Sequence, residues 1–188
     1  MRQFVMRDTG IYRGNVKYGQ VQAHLDINSL HSRFLHLAHK LVPTKNNVVI
    51  MMNSGVWDVL MHHVDLNFDN HKKVLVLLLQ AIQHSFPNAR VIWKGMTAMH
   101  IHKVKCREIS CRERIKYMSS SRALFIENLQ RSVVAQFHNV CYIPQYDITY
   151  LNVDRLRKND GRHYVDSLNE EMWNAVFVNT HGENWKNI

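Results

Sequence analysis

Glycine and proline are scarce in this sequence, 7 and 3 among 188 residues. A chain so poor in breakers leaves little room for linkers or a disordered tail. Its length suits one domain with a real core. The longest apolar run, Val74-Leu75-Val76-Leu77-Leu78-Leu79, falls far short of the roughly 18 residues that span a bilayer. The first residues, Met1 to Asp8, contain no apolar signal-peptide core. Read as it stands, the chain is expected to be soluble and cytoplasmic, and a longer form could enter the secretory pathway. The 3 cysteines, Cys106, Cys111 and Cys141, are an odd number and do not make a complete disulfide framework. Cys106 and Cys111 could bridge in a secreted protein; reduced thiols are the expectation for a cytoplasmic one.

Metal-binding patterns are also missing. There are 13 histidines, and His62-His63 and His100-x-His102 are the closest pairs. Neither has the spacing of a zinc finger or of an H-E-x-x-H helix. No metal or other cofactor is expected. The formal charge of +9 raises nucleic acid as a partner. The densest basic stretch, Lys103 to Lys116, is interrupted by Glu108 and Glu113, and no RNA-binding signature accompanies it. Nucleic acid is therefore an unlikely partner, and a solvated basic face is the simpler reading.

What is present is an alternation of strand-like and helix-like segments. Gln3 to Arg7 is a short candidate strand. Leu25 to Leu41 has helical spacing of Leu30, Phe34, Leu35, Leu37, Ala38 and Leu41. Val48 to Met52 is continuously apolar and partly β-branched, as a parallel strand buried on both faces should be. A helix over Asn70 to Ser85 follows, stopped by Phe86-Pro87. Then come a strand at Arg90 to Lys94 and a mixed loop and helix from Lys103 to Ser119. A long helix runs to Phe137, capped by Ser120 or Ser121, with apolar positions Leu124, Phe125, Leu129, Val133 and Val134. A strand at Asn139 to Ile143 and a last helix from Asp166 to Val178 complete the order. Strands and helices that alternate in this way predict βαβ units and a mostly parallel sheet covered on both faces. The expected fold is α/β, a three-layer α/β/α sandwich of flavodoxin-like type.

Ligands of such sheets bind at the carboxyl ends of the strands. Three segments follow strands in that position: Asn53 to Asp58, Gly95 to His102, and the stretch Asn159-Asp160-Gly161-Arg162-His163-Tyr164. Asp160 and His163, three apart around a glycine, fit one tight turn on which the carboxylate can orient the imidazole as a general base. The plainer alternative makes Asp160 a helix cap and His163 a surface imidazole. Asn53, Ser54 and Gly55 could shape a pocket or form only a tight turn in which glycine supplies positive φ. Trp57 fits a pocket or core wall, and Asp58 fits a pocket or a helix cap. His100 follows a strand at the same edge and is placed to line the pocket. Ser54 is a conceivable nucleophile but lacks the G-x-S-x-G elbow.

The order of these blocks resembles the SGNH/GDSL esterase superfamily over about residues 25–180. The likeness is greatest to the branch that holds PC-esterase and related cell-surface acyl-esterase domains. In that superfamily a Gly-x-Asn-Asp block follows a central strand. Gly55-Val56-Trp57-Asp58 stands in the same place, with Trp57 where Asn is usual, and Asp160 and His163 match the closing Asp-x-x-His. The resemblance implies an acyl- or O-acetyl-esterase acting on acylated glycans or related esters, with His163 as base, Asp160 orienting it, and Gly55 and its neighbours on the oxyanion side. It also implies a serine in a Gly-Asp-Ser block after the first strand. The sequence has no such block, and its first serine is Ser29. The expectation is thus a single domain that lacks its first strand and is inactive as given. The alternative is a catalytically dead module that binds a glycan or a protein. Without its neighbour, the edge of Val48 to Met52 would be open to self-association or covered by the Gln3 to Arg7 segment.

Overall fold

The computed structural model describes residues 3–5, 49–56, 59, 68–107 and 109–181. The expected helix over Leu25 to Leu41 lies outside them, as do Trp57 and Asp58. Four strands form one parallel sheet in sequential order: β1 (Gln3–Val5), β2 (Val49–Met52), β3 (Arg90–Lys94) and β4 (Val140–Ile143). β1 pairs with β2 from Gln3↔Val49 to Val5↔Met51. Of the two arrangements considered for the β2 edge, the structure therefore has the covered one.

The helices are α1 (Phe68–Ser85), α2 (Ile109–Ile115), α3 (Ser120–Val134), α4 (Tyr146–Leu151) and α5 (Asp166–His181). In α1, Leu75, Leu78, Leu79 and Ile82 recur every three or four residues and are all buried. Together with residues of α3, they close over Ile50 and Met52 of β2 and Val91 and Trp93 of β3. Side chains alternate across a strand, so Met51 and Ile92 point to the opposite face, and they are buried as well. Both faces of the sheet are covered, as the run of apolar residues requires. The fold is an α/β sandwich built on a parallel sheet.

Two local expectations are corrected. The cap of α3 is Ser119, whose hydroxyl accepts from Arg122 N at 3.2 Å; Ser120 Oγ donates instead to Met99 O at 2.5 Å. The inward face of α3 is also rotated from the one that its large apolar residues suggest. Leu124 and Phe125 are 37% and 49% exposed, while Glu127 and Gln130 are buried beside Ala123, Ile126, Val133 and Val134. These two polar residues face inward because each satisfies a group of a loop at the sheet edge. Glu127 Oε2 accepts from Met96 N, and Gln130 Nε2 donates to Ser54 O.

Cys106 and Cys111 are joined by a disulfide, and Cys141 is a free thiol. The expectation of reduced thiols does not hold for that pair, because the turn into α2 brings their Cα atoms to 5.5 Å, within bonding geometry. No helix among the described residues is long and apolar enough to cross a membrane.

Candidate active site

All strands run parallel, so the chain leaves each of them at the same edge of the sheet. From β2 it enters Asn53-Ser54-Gly55, of which Asn53 is exposed, Ser54 half-buried and Gly55 buried. Gly55 has φ +105°, a conformation that L side chains rarely adopt. A Cβ there would also press on Ile126, Met96 and Gln130. The tight turn that glycine permits is thus present, and it packs directly on α3.

From β3 the chain runs through Gly95 to His100. Ala98 N donates to Thr149 Oγ1 at 2.8 Å, and the Tyr164 hydroxyl lies 3.1 Å from Ala98 O and 2.9 Å from Thr149 O. These bonds fasten the loop after β3 to α4 and to the segment that carries Asp160 and His163. His100 is buried. Its N–H donates to Gly161 O at 2.7 Å, and its ring stacks on Tyr150 at 5.8 Å. Burial lowers its pKa, His102 and Lys103 add to the effect, and a hydrogen bond to the Thr149 backbone opposes it. The ring is therefore held towards its neutral form.

The segment after α4 folds back on itself. Leu156 and Tyr164 form an antiparallel bridge, Arg157 N donates to His163 O at 2.8 Å, and Val165 N to Arg155 O at 2.9 Å. Asp160 and His163 sit at the tip of this small hairpin. Asn159 takes positive φ, 63°, which asparagine tolerates better than most residues. Gly161 is packed so closely that a Cβ would meet His100 O, Met118 and Val104.

The Asp160 carboxylate is held from three directions. Oδ1 accepts from Arg162 N at 2.9 Å and from His163 N at 3.1 Å, and Oδ2 lies 2.5 Å from His163 Nδ1. Asp160 is therefore not the cap of α5; its bonds are to its own turn and to the imidazole. Partial burial would raise its carboxyl, but the bonds from the His163 ring and the two N–H groups together hold it below the ordinary aspartate value. An ionised carboxylate only accepts, so His163 Nδ1 carries a proton, and in the neutral ring the lone pair is on Nε2. The imidazole is exposed. Chemically, this is an oriented base at the carboxyl edge of a parallel sheet.

The structure joins His100 to the Asp160 turn and packs the Asn53–Gly55 turn on Met96, at the start of the segment that ends in His100. Ser54 Oγ lies 3.4 Å from Gln130 Nε2. Among the described residues, no three His, Cys, Asp or Glu side chains surround a possible ion. Glu127, Gln130 and Thr149 were not singled out in the sequence, and Tyr164 only as the end of the Asn159–Tyr164 stretch, yet all four anchor the loops. A signal for two of them was there: a polar pair, Glu127 and Gln130, on a helix whose other inward positions are apolar.

No family model matches the chain, and no curated protein is similar to it in sequence. Solved structures are similar in fold. A peptidoglycan O-acetylesterase superposes with a TM-score of 0.58 at 12% identity, over 84% of this chain and 42% of that one. A carbohydrate acetylesterase from Sinorhizobium meliloti gives 0.57 at 10% identity, over 80% and 66%. An acetyl xylan esterase gives 0.51 at 20% identity, over 80% and 75%. The chain thus spans less than half of the first of these proteins and about two thirds of the second. At such identities the likeness is one of fold.

Proposed function

We propose that the chain is a single SGNH-like acyl- or O-acetyl-esterase domain of the PC-esterase type, whose site takes acylated glycans or related esters. We further propose that, as this sequence stands, it holds such a substrate without turning it over by a serine mechanism. One observation carries the reading: Asp160 Oδ2 lies 2.5 Å from His163 Nδ1 on a turn that its own backbone bonds make rigid. The similar folds support the substrate class, since by their descriptions all three act as acetylesterases, on peptidoglycan, carbohydrate or acetyl xylan.

In this reading His163 Nε2 takes the proton from an attacking hydroxyl, and Asp160 stabilises the imidazolium that forms. Gly55 and its neighbours face the acyl oxygen, with Asn53 at the mouth. His100 lines the pocket wall, while Trp57 and Asp58, assigned to the pocket from the sequence, lie outside the described residues. The nucleophile is the weak element. The sequence has no Gly-Asp-Ser block. Ser54 is a poor substitute, because both its carbonyl and its hydroxyl face the Gln130 amide. An oriented base without a nucleophile favours binding over turnover. The Cys106–Cys111 disulfide favours an oxidising compartment over the cytoplasm.

The test pairs binding with turnover. Calorimetry should show saturable binding of O-acetylated xylo-oligosaccharides, weaker for the deacetylated ones and weakened by His163→Ala. Equal affinity for both forms would remove the ester reading. With p-nitrophenyl acetate, the protein should release no more product than His163→Ala does. Turnover lost in Ser54→Ala would instead make Ser54 the nucleophile. Turnover that survives that change but not His163→Ala would point to a water activated by His163.

A further inference from the structure

Gln130 lies in the third turn of α3, is fully buried, and reaches a strand, the loop after β2 and a helix. Its Oε1 lies 3.2 Å from Trp93 Nε1. Its Nε2 lies 3.0 Å from Ser54 O and 3.2 Å from His71 Nε2. The orientation of the amide follows from chemistry. The indole N–H can only donate, so the atom facing it must be the amide oxygen. The NH₂ group then faces Ser54 and His71. It donates one proton to the Ser54 carbonyl and the other to His71 Nε2, which must therefore be an acceptor, with the His71 proton on Nδ1. The indole N–H and the Ser54 carbonyl both agree with this orientation and contradict the flipped one, and the His71 ring adapts to it through its tautomer.

This arrangement determines a direction at the sheet edge. The Ser54–Gly55 peptide is trans, as are all the described peptide bonds. In a trans peptide the C=O and the following N–H point in opposite directions. With the Ser54 carbonyl drawn towards Gln130, the Gly55 N–H is turned away from it. Among the described residues, that N–H donates to no backbone carbonyl. The φ of +105° at Gly55 and the lack of room for a Cβ leave the turn few other conformations.

We propose that Gln130 is a positioning residue of the candidate site. Oriented by Trp93, its amide holds the Ser54–Gly55 peptide so that the Gly55 N–H donates to the acyl oxygen of a bound ester. The proposal rests on the ester-site reading and adds to it a residue that touches no substrate. The Gly55 donor works only while the peptide plane is fixed, and Gln130 is the side chain that fixes it. Removing its NH₂ frees the plane and leaves the fold's apolar contacts in place.

The test uses the full chain, ¹⁵N-labelled, titrated with methylphosphonate as a tetrahedral anion that resembles an ester's reaction intermediate. In the unaltered protein, the Gly55 amide and the His163 ring signals should move together and saturate. In Gln130→Met, which keeps the length and loses the donors, the Gly55 response should weaken about tenfold or more in apparent affinity. The Asp160 and His163 signals of the free protein should stay where they were, a pattern that general loosening of the core would not give. Gln130→Glu, which keeps an acceptor for Trp93 but lacks the NH₂, should behave like Gln130→Met. An unchanged Gly55 response in Gln130→Met would overturn the proposal. So would a His163 response without a Gly55 response in the unaltered protein, although the ester site would then stand. No response at either residue would remove the ester site itself and the proposal with it. If Gln130→Met does not fold, Trp93→Phe removes the donor that orients the amide and leaves Gln130 in place. A folded Trp93→Phe with full Gly55 response would also overturn the proposal.

Discussion

The His100 N–H donates to the Gly161 carbonyl at 2.7 Å, so the loop that follows β3 is bonded to the turn that carries Asp160 and His163. Two segments 61 positions apart thus behave as one piece. A change on either side of that bond should be felt by the imidazole.

Gly161 is the clearest place to make such a change. A Cβ there would collide with the His100 backbone, which cannot move aside as a flexible side chain can. Gly161→Ala should cost about 1–3 kcal/mol in denaturant unfolding, the usual range for overpacking. It should also displace the Asp160 and His163 amide signals. A variant with unaltered midpoint and signals would show that the approach is looser than described.

The buried ring of His100 gives a pH dependence. Its pKa is lowered in the folded state, chiefly by burial. As pH falls through the ordinary histidine value of about 6.5, the unfolded chain takes up a proton that the folded one refuses. Stability should therefore decline on acidification from neutral pH. His100→Phe keeps a ring against Tyr150 and removes the titration. The decline should be smaller in that variant, as followed by thermal melts across the same pH range. Equal slopes in both proteins would remove His100 as a cause.

Glu127 offers a contrast between charge and hydrogen bonding. Burial raises its pKa, so stability falls as pH rises from the ordinary glutamate value, where the unfolded chain ionises, and the loss is complete once pH passes the folded value. Glu127→Gln keeps an acceptor for Met96 N and cannot ionise. Its melting temperature at neutral pH should equal or exceed that of the unaltered protein. Glu127→Ala leaves the Met96 N–H without its partner and should cost about 1–3 kcal/mol. Loss of stability in both variants alike would mean that the negative charge itself is needed, with Arg131 Nη2 at 3.8 Å as its counter-ion.

The Cys106–Cys111 bridge closes a short loop, and the chain-entropy relation assigns such a loop about 2 kcal/mol. Mass spectrometry after alkylation without reductant should find one free thiol, Cys141, when the protein is unfolded. Reduction should lower the melting temperature by several degrees. Three alkylated cysteines in non-reduced protein from an oxidising compartment would contradict the bridge.

Much of the architecture was legible because the segments that matter are periodic or continuously apolar. β3 matches its expected limits, Arg90 to Lys94, and the end of α1 falls at Ser85, where Phe86-Pro87 predicts it. The short helix α4 was not read, because Tyr146–Leu151 is too brief to show a period. The face of α3 was misread for a different reason. Periodicity ranks residues by hydrophobicity, and it places Leu124 and Phe125 inside ahead of Glu127 and Gln130. Tertiary hydrogen bonds to Met96 and Ser54 reverse that order, and they join residues 31 and 76 positions apart. In the site itself, the Asp160–His163 pair could be read from spacing alone, since three residues and a glycine make a local turn. The anchors of that turn, Thr149 and Tyr164 to Ala98, are long-range and left no pattern to read.

The most direct test of the account is a long-range ¹H–¹⁵N spectrum of the His163 ring. With Asp160 accepting from Nδ1, the neutral ring should show a protonated Nδ1 and a bare, pyridine-like Nε2. Asp160→Asn should abolish that preference, and an O-acetylated oligosaccharide should move the Nε2 signal in the unaltered protein. A neutral His163 with its proton on Nε2, unmoved by the acetylated ligand, would contradict the claim that Asp160 and His163 form the base of an ester site.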